Sequence, residues 1–263
     1  MSAPKLTAPA RTAPTLTALC VVHNGEADLP DCLESVRFAD EIVVVLDRCT
    51  DGSKAIAERF GAKLLNGAWE IEGQRRNAGL DACGSDYTLE IDADERCPPE
   101  LAAEIRAVLQ TRPQGGMFSP FDNRIGGTPI THGWGAYNGV GGKRCLFPSH
   151  TKVWGHGRLH PTVQHPPEVA QLKSRMIHHV YRDLPDMYVR LLRYCRLAAL
   201  DMIDQNAIPP AGKTVRRFFS RFWKSYISRQ GRKEGFYGVA LGLYSALYPA
   251  LSHLMALEMQ RRK

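Results

Sequence analysis

Over its first hundred residues the chain alternates between short apolar runs rich in β-branched residues and stretches whose apolar positions recur every three or four residues. Leu16 to Val22 is the first such run and closes at the polar turn His23-Asn24-Gly25-Glu26, which predicts a strand and its exit loop. Leu29, Cys32, Leu33 and Val36 then share one face of a helix. Glu41 to Leu46 is almost continuously apolar, as expected of a strand covered on both faces, and it stops at Asp47. Thr50-Asp51-Gly52-Ser53 supplies a turn and cap for a helix over residues 54–60, which Gly61 can end. Lys63 to Leu65 reads as a third strand, and 74–82 as a helix whose Ala78 and Leu80 face the sheet. Tyr87 to Ile91 reads as a fourth strand, and Leu101, Ile105, Val108 and Leu109 line a further helix. Strand and helix thus alternate four times, which predicts an α/β fold: a mostly parallel, Rossmann-like sheet flanked by helices.

From Gly115 the texture changes. Phe118 to Phe121, Lys143 to Phe147 and Leu172 to Ile177 read as strands, separated by the glycine-rich stretches Gly126-Gly127, Gly133-Trp134-Gly135 and 139–142. Trp134 and Tyr137 among these glycines favour a mobile binding loop over plain hairpin turns. After Tyr181 the pattern is helical. Asp183 is an N-cap with Pro185 in the first turn, leading into a helix over 187–203, then a basic helix over 215–228. Phe236 to Leu257 contains no Lys, Arg, Asp or Glu and is long enough to span a bilayer. Gly238, Gly242, Ser245, Pro249, Ser252 and His253 dilute it, which leaves three readings: a helix packed on the body, an interfacial helix on an anionic membrane surface, or a span. Arg232-Lys233 and Arg261-Arg262-Lys263 flank it on both sides, which fits the interfacial reading best.

The formal net charge is +7 over 263 residues, and the excess sits in the last third. That admits phosphorylated ligands or anionic lipid; for nucleic acid it offers charge alone, and none is expected. Seven cysteines, an odd number with no CxxC pair, read as reduced thiols of a cytoplasmic protein. Residues 1–15, rich in Ala, Pro and Thr without an apolar core, read as a flexible lead. The expected organisation is that lead, a domain over 16–180 and a basic α-helical C-terminal extension over 181–263.

In such sheets ligands bind beyond the carboxyl ends of the strands. Glu26, Asp47 and the cluster Asp92-Ala93-Asp94-Glu95 fall there. Three carboxylates within four positions repel one another unless a cation lies between them, and hard oxygen ligands suit Mg²⁺ or Mn²⁺. The alternative is that they open the next helix ahead of Pro98 and Pro99. A nucleoside diphosphate fits this set, with Asp47 accepting from ribose or base and Arg76 offsetting phosphate charge. No GxGxxG follows the first strand and no GxxxxGK[ST] occurs, which sets aside dinucleotide oxidoreductases and P-loop NTPases. His156, His160 and His165 lack a companion cysteine and make a poor zinc set.

Val22-His23-Asn24-Gly25-Glu26, Asp47 with Thr50-Asp51-Gly52-Ser53, Trp69 with Gly73 and Arg76-Asn77, and Asp92-Ala93-Asp94-Glu95 resemble, in order and spacing, the motifs of family 2 glycosyltransferases with the GT-A fold. Within that family they are most similar to the lipopolysaccharide-core β-glucosyltransferases. His132-Gly133-Trp134, Leu146-Phe147, Leu159-His160 and the run His179 to Leu184 echo that subgroup more thinly. The resemblance implies a nucleotide-sugar half over 16–110 and an acceptor half over 111–180. It implies inverting transfer from a UDP-sugar donor to a lipid-linked saccharide acceptor, by a protein peripheral on the inner face of the cytoplasmic membrane. It assigns Val22, Asn24, Glu26, Asp47, Arg76, Asn77 and Asp92 to the nucleotide sugar, and Asp92 with Asp94 to the metal.

Two departures stand out. The family shows two acids after the asparagine, where this chain has Gly25 and Glu26. The subgroup places a glutamate after the histidine matching His160, where this chain has Pro161. That glutamate is the natural base for the acceptor hydroxyl, so the role passes to His160, Asp183, Glu95 or Glu168 without a decision among them. A non-catalytic, membrane-associated scaffold that binds nucleotide sugar remains as one alternative, and a nucleotidyltransferase as another.

Overall fold

The structure is a computed structural model that describes residues 13–133, 141–156 and 162–262. In chain order its elements begin β1 (Leu16–Val22), α1 (Leu29–Ser35), β2 (Glu41–Asp47), α2 (Ser53–Arg59), β3 (Lys63–Gly67), α3 (Glu72–Ala82) and β4 (Tyr87–Ile91). They continue with a two-residue β5 (Glu95–Arg96), α4 (Pro99–Leu109), β6 (Gly116–Ile125), β7 (Thr128–Pro129), β8 (Gly142–Pro148), β9 (Val153–Trp154), β10 (Val163–Gln164), β11 (Glu168–Gln171) and β12 (Met176–Tyr181). Three helices end the chain: α5 (Leu184–Asp204), α6 (Ala211–Trp223) and α7 (Gly235–Arg261). The chain folds as two compact units, one of Met1–Pro120 with Arg144–Arg175, the other of Phe121–Lys143 with Met176–Lys263. Residues 121–143 therefore group with the C-terminal helices.

The first unit is the α/β unit. Its strands run β3-β2-β1-β4-β8-β6 across the sheet. β1, β2, β3 and β4 are mutually parallel, with Cys20 opposite both Val44 and Ile91, and β8 returns antiparallel to β4 with Phe147 opposite Thr88. Parallel pairing brings the carboxyl ends of β1, β2 and β4 to one edge, where their exit loops meet. Leu80 of α3 and Cys83, just past its end, pack on Leu19, Val43, Val45 and Phe147. The small residue against the sheet is Gly79, where a Cβ would lie 2.7 Å from Leu19 Cδ1, while Ala78 is half-buried; the pairing of Ala78 with Leu80 expected from periodicity is corrected by one position. The strand expected over Leu172 to Ile177 also moves. The amides of Lys173 and Ser174 donate to the Glu104 carboxylate at 2.7 and 2.8 Å, so pairing resumes only at Met176. All seven cysteines are free thiols, all but Cys49 buried.

In the second unit the later half of β6 pairs parallel with β12, Phe121 opposite Met176, and antiparallel with β7. Asp183 caps α5, its Oδ1 accepting the Asp186 amide at 2.7 Å. Met187, Leu191, Cys195 and Ala199 form the buried stripe of α5, and the first three join Leu241 and Tyr244 of α7 in one core. α7 is long and apolar enough to cross a membrane by length and composition, yet 56% of that window is buried inside the protein. Its buried face carries Gly238, Gly242, Ser245, Pro249, Ser252 and His253, the residues that dilute its hydropathy. They serve close packing: a Cβ on Gly238 would meet the Gly231 carbonyl oxygen and one on Gly242 would lie 3.0 Å from Phe222. The Ser245 and Ser252 hydroxyls donate back to the Leu241 and Tyr248 carbonyls.

Candidate functional site

The loops leaving β1 and β2 are stitched together. Asn24 and Arg48 both adopt φ near +51°, a left-handed conformation that Asn tolerates better than most residues. Asn24 Oδ1 accepts the Thr50 amide at 2.8 Å, the Gly25 amide donates to Ser53 Oγ at 2.9 Å, and Glu26 Oε2 accepts the Gly52 amide at 2.7 Å. At Gly25, which stands where the resembling family has the first of its two acids, a Cβ would press against Cγ2 of the buried Val22.

Asp47, at the end of β2, is fully buried. Its oxygens accept from Arg48 Nε and Nη2 at 3.0 and 2.9 Å, from the Trp69 amide at 3.1 Å and from Arg75 Nη1 at 2.9 Å. Burial pushes its carboxyl up, but the hydrogen bonds from Arg48, Trp69 and Arg75 outweigh burial and hold it below the ordinary aspartate value.

A second cluster lies between α3, β4 and β9. Arg76 donates from Nε to Glu72 at 3.0 Å and from Nη1 to Glu90 at 2.8 Å and to Asp92 Oδ1 at 3.2 Å. Lys152 donates to the other oxygen of Glu90. Both cations stand over the Trp154 ring, at 4.6 and 4.8 Å from its centroid. Asn77 grips the backbone of Trp154 from both sides, Nδ2 donating to its carbonyl at 2.8 Å and Oδ1 accepting its amide at 2.9 Å. Gly73 admits this approach, because a Cβ there would meet the Gly155 carbonyl oxygen at 2.1 Å. Desolvation alone would lower the Arg76 pKa, but Asp92, Glu90 and Glu72 together raise it well above its ordinary value.

Asp92 to Glu95 is a closed turn. The Glu95 amide donates to the Asp92 carbonyl and the Asp92 amide donates to Glu95 Oε2, both at 2.9 Å. The alternative that these acids open a helix is corrected, since α4 starts only at Pro99. Glu95 is buried, Asp94 half-buried, and the Asp92 side chain is 33% exposed.

The structure thus brings Val22, Asn24, Glu26, Asp47, Arg76, Asn77, Asp92, Asp94 and Glu95 into the α/β unit. Arg76, expected to meet phosphate, is engaged with three carboxylates. Asn77 holds the Trp154 backbone. Asp183 belongs to the helical unit as a helix cap, Glu168 pairs with Arg144 at 3.0 Å on β11, and His160, Pro161, Trp134 and Tyr137 lie outside the described residues. The His165 pKa is lowered by burial and then by Lys152 and Arg144. Asp183→Ala is expected to lower unfolding free energy by about 1 kcal/mol through loss of the cap; urea denaturation beside a turnover assay measures it, and a turnover loss beyond the stability loss would show a second role.

Sequence reasoning missed Arg75, Glu72, Glu90, Lys152 and Trp154. Glu90 carried a signal, as a lone acid inside an otherwise apolar strand needs a buried partner. Lys152 carried none, being one basic residue in a polar stretch.

The chemistry of the turn suits a hard divalent cation: Asp92 and Asp94 offer carboxylate oxygens at a strand end. Among the described residues no group of three or more His, Cys, Asp or Glu is arranged to hold a metal ion. Asp92 and Asp94 are the residues that could hold such a cation.

Residues 17–160 match the family described as "Glycosyl transferase family 2". Among curated proteins the chain is similar to an uncharacterized glycosyltransferase of Rickettsia felis, 32% identical over 100 residues that make up 38% of this chain and 35% of the relative. It is also similar to the lipopolysaccharide core biosynthesis glycosyltransferase LpsC of Rhizobium meliloti, 33% identical over 91 residues, 33% of this chain and 34% of that one. The chain spans about a third of the length of such curated relatives. Among solved structures it is similar to glucosyl-3-phosphoglycerate synthase from Mycobacterium tuberculosis in complex with Mn²⁺, UDP-glucose and phosphoglyceric acid, 20% identical over 42% of this chain and 44% of that one with a TM-score of 0.36. The family match runs from β1 past β9, over more than half of the 263 residues, and on it the chain belongs to glycosyltransferase family 2.

Proposed function

We propose that the chain transfers a hexosyl group from a nucleotide-sugar donor, a UDP-hexose, to a hydroxyl of a lipid-linked saccharide at the cytoplasmic face of the membrane. Transfer inverts the anomeric carbon, in the synthesis of cell-envelope polysaccharide or lipopolysaccharide core. The turn Asp92–Glu95 carries the reading: it sets two aspartates at the end of a buried parallel strand, with Ala93 between them against Gly25 of the loop after β1. Family membership supports it, and the name of the LpsC relative supports a lipid-linked acceptor.

The residues divide the work by geometry. Asp47 sits at the nucleoside end, and a base or ribose reaching it displaces Arg48, whose side chain is 52% exposed, while Arg75 and the Trp69 amide remain. Arg76 fixes Asp92, and Asn77 fixes the Trp154 strand alongside. Asp92 and Asp94 would hold a divalent cation, Mg²⁺ or Mn²⁺, which when bound would supply positive charge to offset that building on the leaving diphosphate. The acceptor oxygen bonds to the anomeric carbon as the bond to the diphosphate breaks, and the acceptor proton passes to a base. For that base, Glu95 is engaged by the Asp92 amide, Asp183 by its helix cap and Glu168 by Arg144, and His160 lies outside the described residues.

Calorimetric titration of UDP-glucose with Mn²⁺ present tests the donor site. Asp94→Ala is expected to weaken binding by roughly tenfold or more; equal affinity in the variant would sink the assignment. The nucleotidyltransferase alternative falls to the family match. The scaffold alternative rests on Pro161 and the basic tail, and a lipid extract decides it: acceptor-dependent UDP release supports transfer, while binding without release supports a scaffold.

A further inference from the structure

Of the large apolar side chains that stand exposed among the described residues, all but Val153 and Val169 belong to the helical unit. On α6, Val215, Phe219 and Trp223 are 57%, 66% and 63% exposed. They are four residues apart and so form one column along the helix. Rotating past this column brings the exposed cations Arg216, Lys213 and Lys224 and the half-buried Arg217. The remaining side rests on the protein: Thr214 is buried, Phe222 lies against Gly242 and stacks on Tyr226, and Arg221 stands 5.9 Å over the Tyr248 ring. One side of α6 is thus satisfied by packing, while an apolar column edged by cations faces solvent. From Gln205 to Lys233 there is no Asp or Glu, so the stretch that carries these cations supplies no acid of its own.

We infer that this face of α6 docks the protein on an anionic lipid bilayer. Phe219, Trp223 and Val215 enter the boundary between headgroups and acyl chains, and the neighbouring lysines and arginines meet lipid phosphates. The charge selects the occupant. A second copy of the chain would have to present this same cationic face or find a matching acidic one, and nucleic acid would leave the apolar column uncovered. The interfacial role expected of Phe236 to Leu257 passes in part to α6, because α7 turns its small and polar residues inward. The inference is independent of sugar transfer, as docking needs neither donor nor acceptor.

Flotation of the purified chain with vesicles tests it. With about one part phosphatidylglycerol to three parts phosphatidylcholine, binding is expected, with little on phosphatidylcholine alone and loss as salt is raised. Phe219→Ser/Trp223→Ser is expected to lower partitioning by roughly tenfold or more, and Arg216→Gln/Lys224→Gln to lower it on anionic vesicles only. Circular dichroism establishes that the variants fold. As a second readout, the blue shift of tryptophan fluorescence on anionic vesicles should vanish in Trp223→Phe. Unchanged binding by the apolar double variant, or equal binding to neutral vesicles, would overturn the inference. So would a dimer that the double variant dissociates while vesicle binding is unaltered, which would assign the face to a second copy.

Discussion

Lys152→Met is expected to lower the unfolding free energy by about 3 kcal/mol. Lys152 and Glu90 are 4% and 2% exposed, so their pairing is formed away from water. Removing the ammonium leaves a carboxylate inside the sheet beside Arg76, which is already shared with Glu72 and Asp92. The effect is the penalty of an under-compensated charge, so it should not equal the net worth of the pair. Glu90→Leu/Lys152→Met removes both charges and is expected to recover most of the loss, because a buried pair roughly balances its own desolvation. Urea denaturation of both single variants and the double variant measures the coupling. A loss below about 1 kcal/mol in Lys152→Met would mean that water reaches Glu90.

Asp92→Asn is expected to lower turnover by roughly 10²–10³-fold while changing stability by no more than about 1.5 kcal/mol. The separation follows from the turn. Its two closing hydrogen bonds use the Asp92 amide and carbonyl and the Glu95 side chain, none of which the substitution removes. The substitution removes the negative charge that Arg76 Nη1 meets at 3.2 Å, while the amide oxygen can still accept from it. Turnover at saturating and limiting donor, across a Mn²⁺ titration, separates a binding defect from a rate defect. Turnover near wild type would take Asp92 out of the reacting site.

How much of this was legible depends on distance along the chain. β1 and β4 start and stop where the mainly apolar runs do, because a strand covered on both faces is largely apolar and gives way to polar residues at its exit turn. The Asp183 cap was legible for a similar reason, its partner being three residues away. Arg75 and Arg76 were not separable: which of two adjacent arginines meets Asp47 and which meets Glu90 is set by the rotation of α3 on the sheet. Gly79 fixes that rotation more than Ala78 does. Lys152 and Trp154 reach α3 only through the hydrogen bonds of Asn77 and the gap left by Gly73. Neither is a pattern that periodicity registers. β12 was misplaced by four residues at its start because a side chain, Glu104, took the amides that a strand would have used.

The bonds that join the loop after β1 to the loop after β2 bear on how tightly any ligand can be held there. Asn24, Gly25 and Glu26 each reach across to Thr50, Ser53 or Gly52, so neither loop has to be ordered when a ligand arrives. A preorganised pair of loops pays its entropy in folding, and affinity then depends little on how many contacts the loops themselves add. Substitutions at Thr50 or Ser53 should therefore weaken binding mainly by loosening a surface they need not touch.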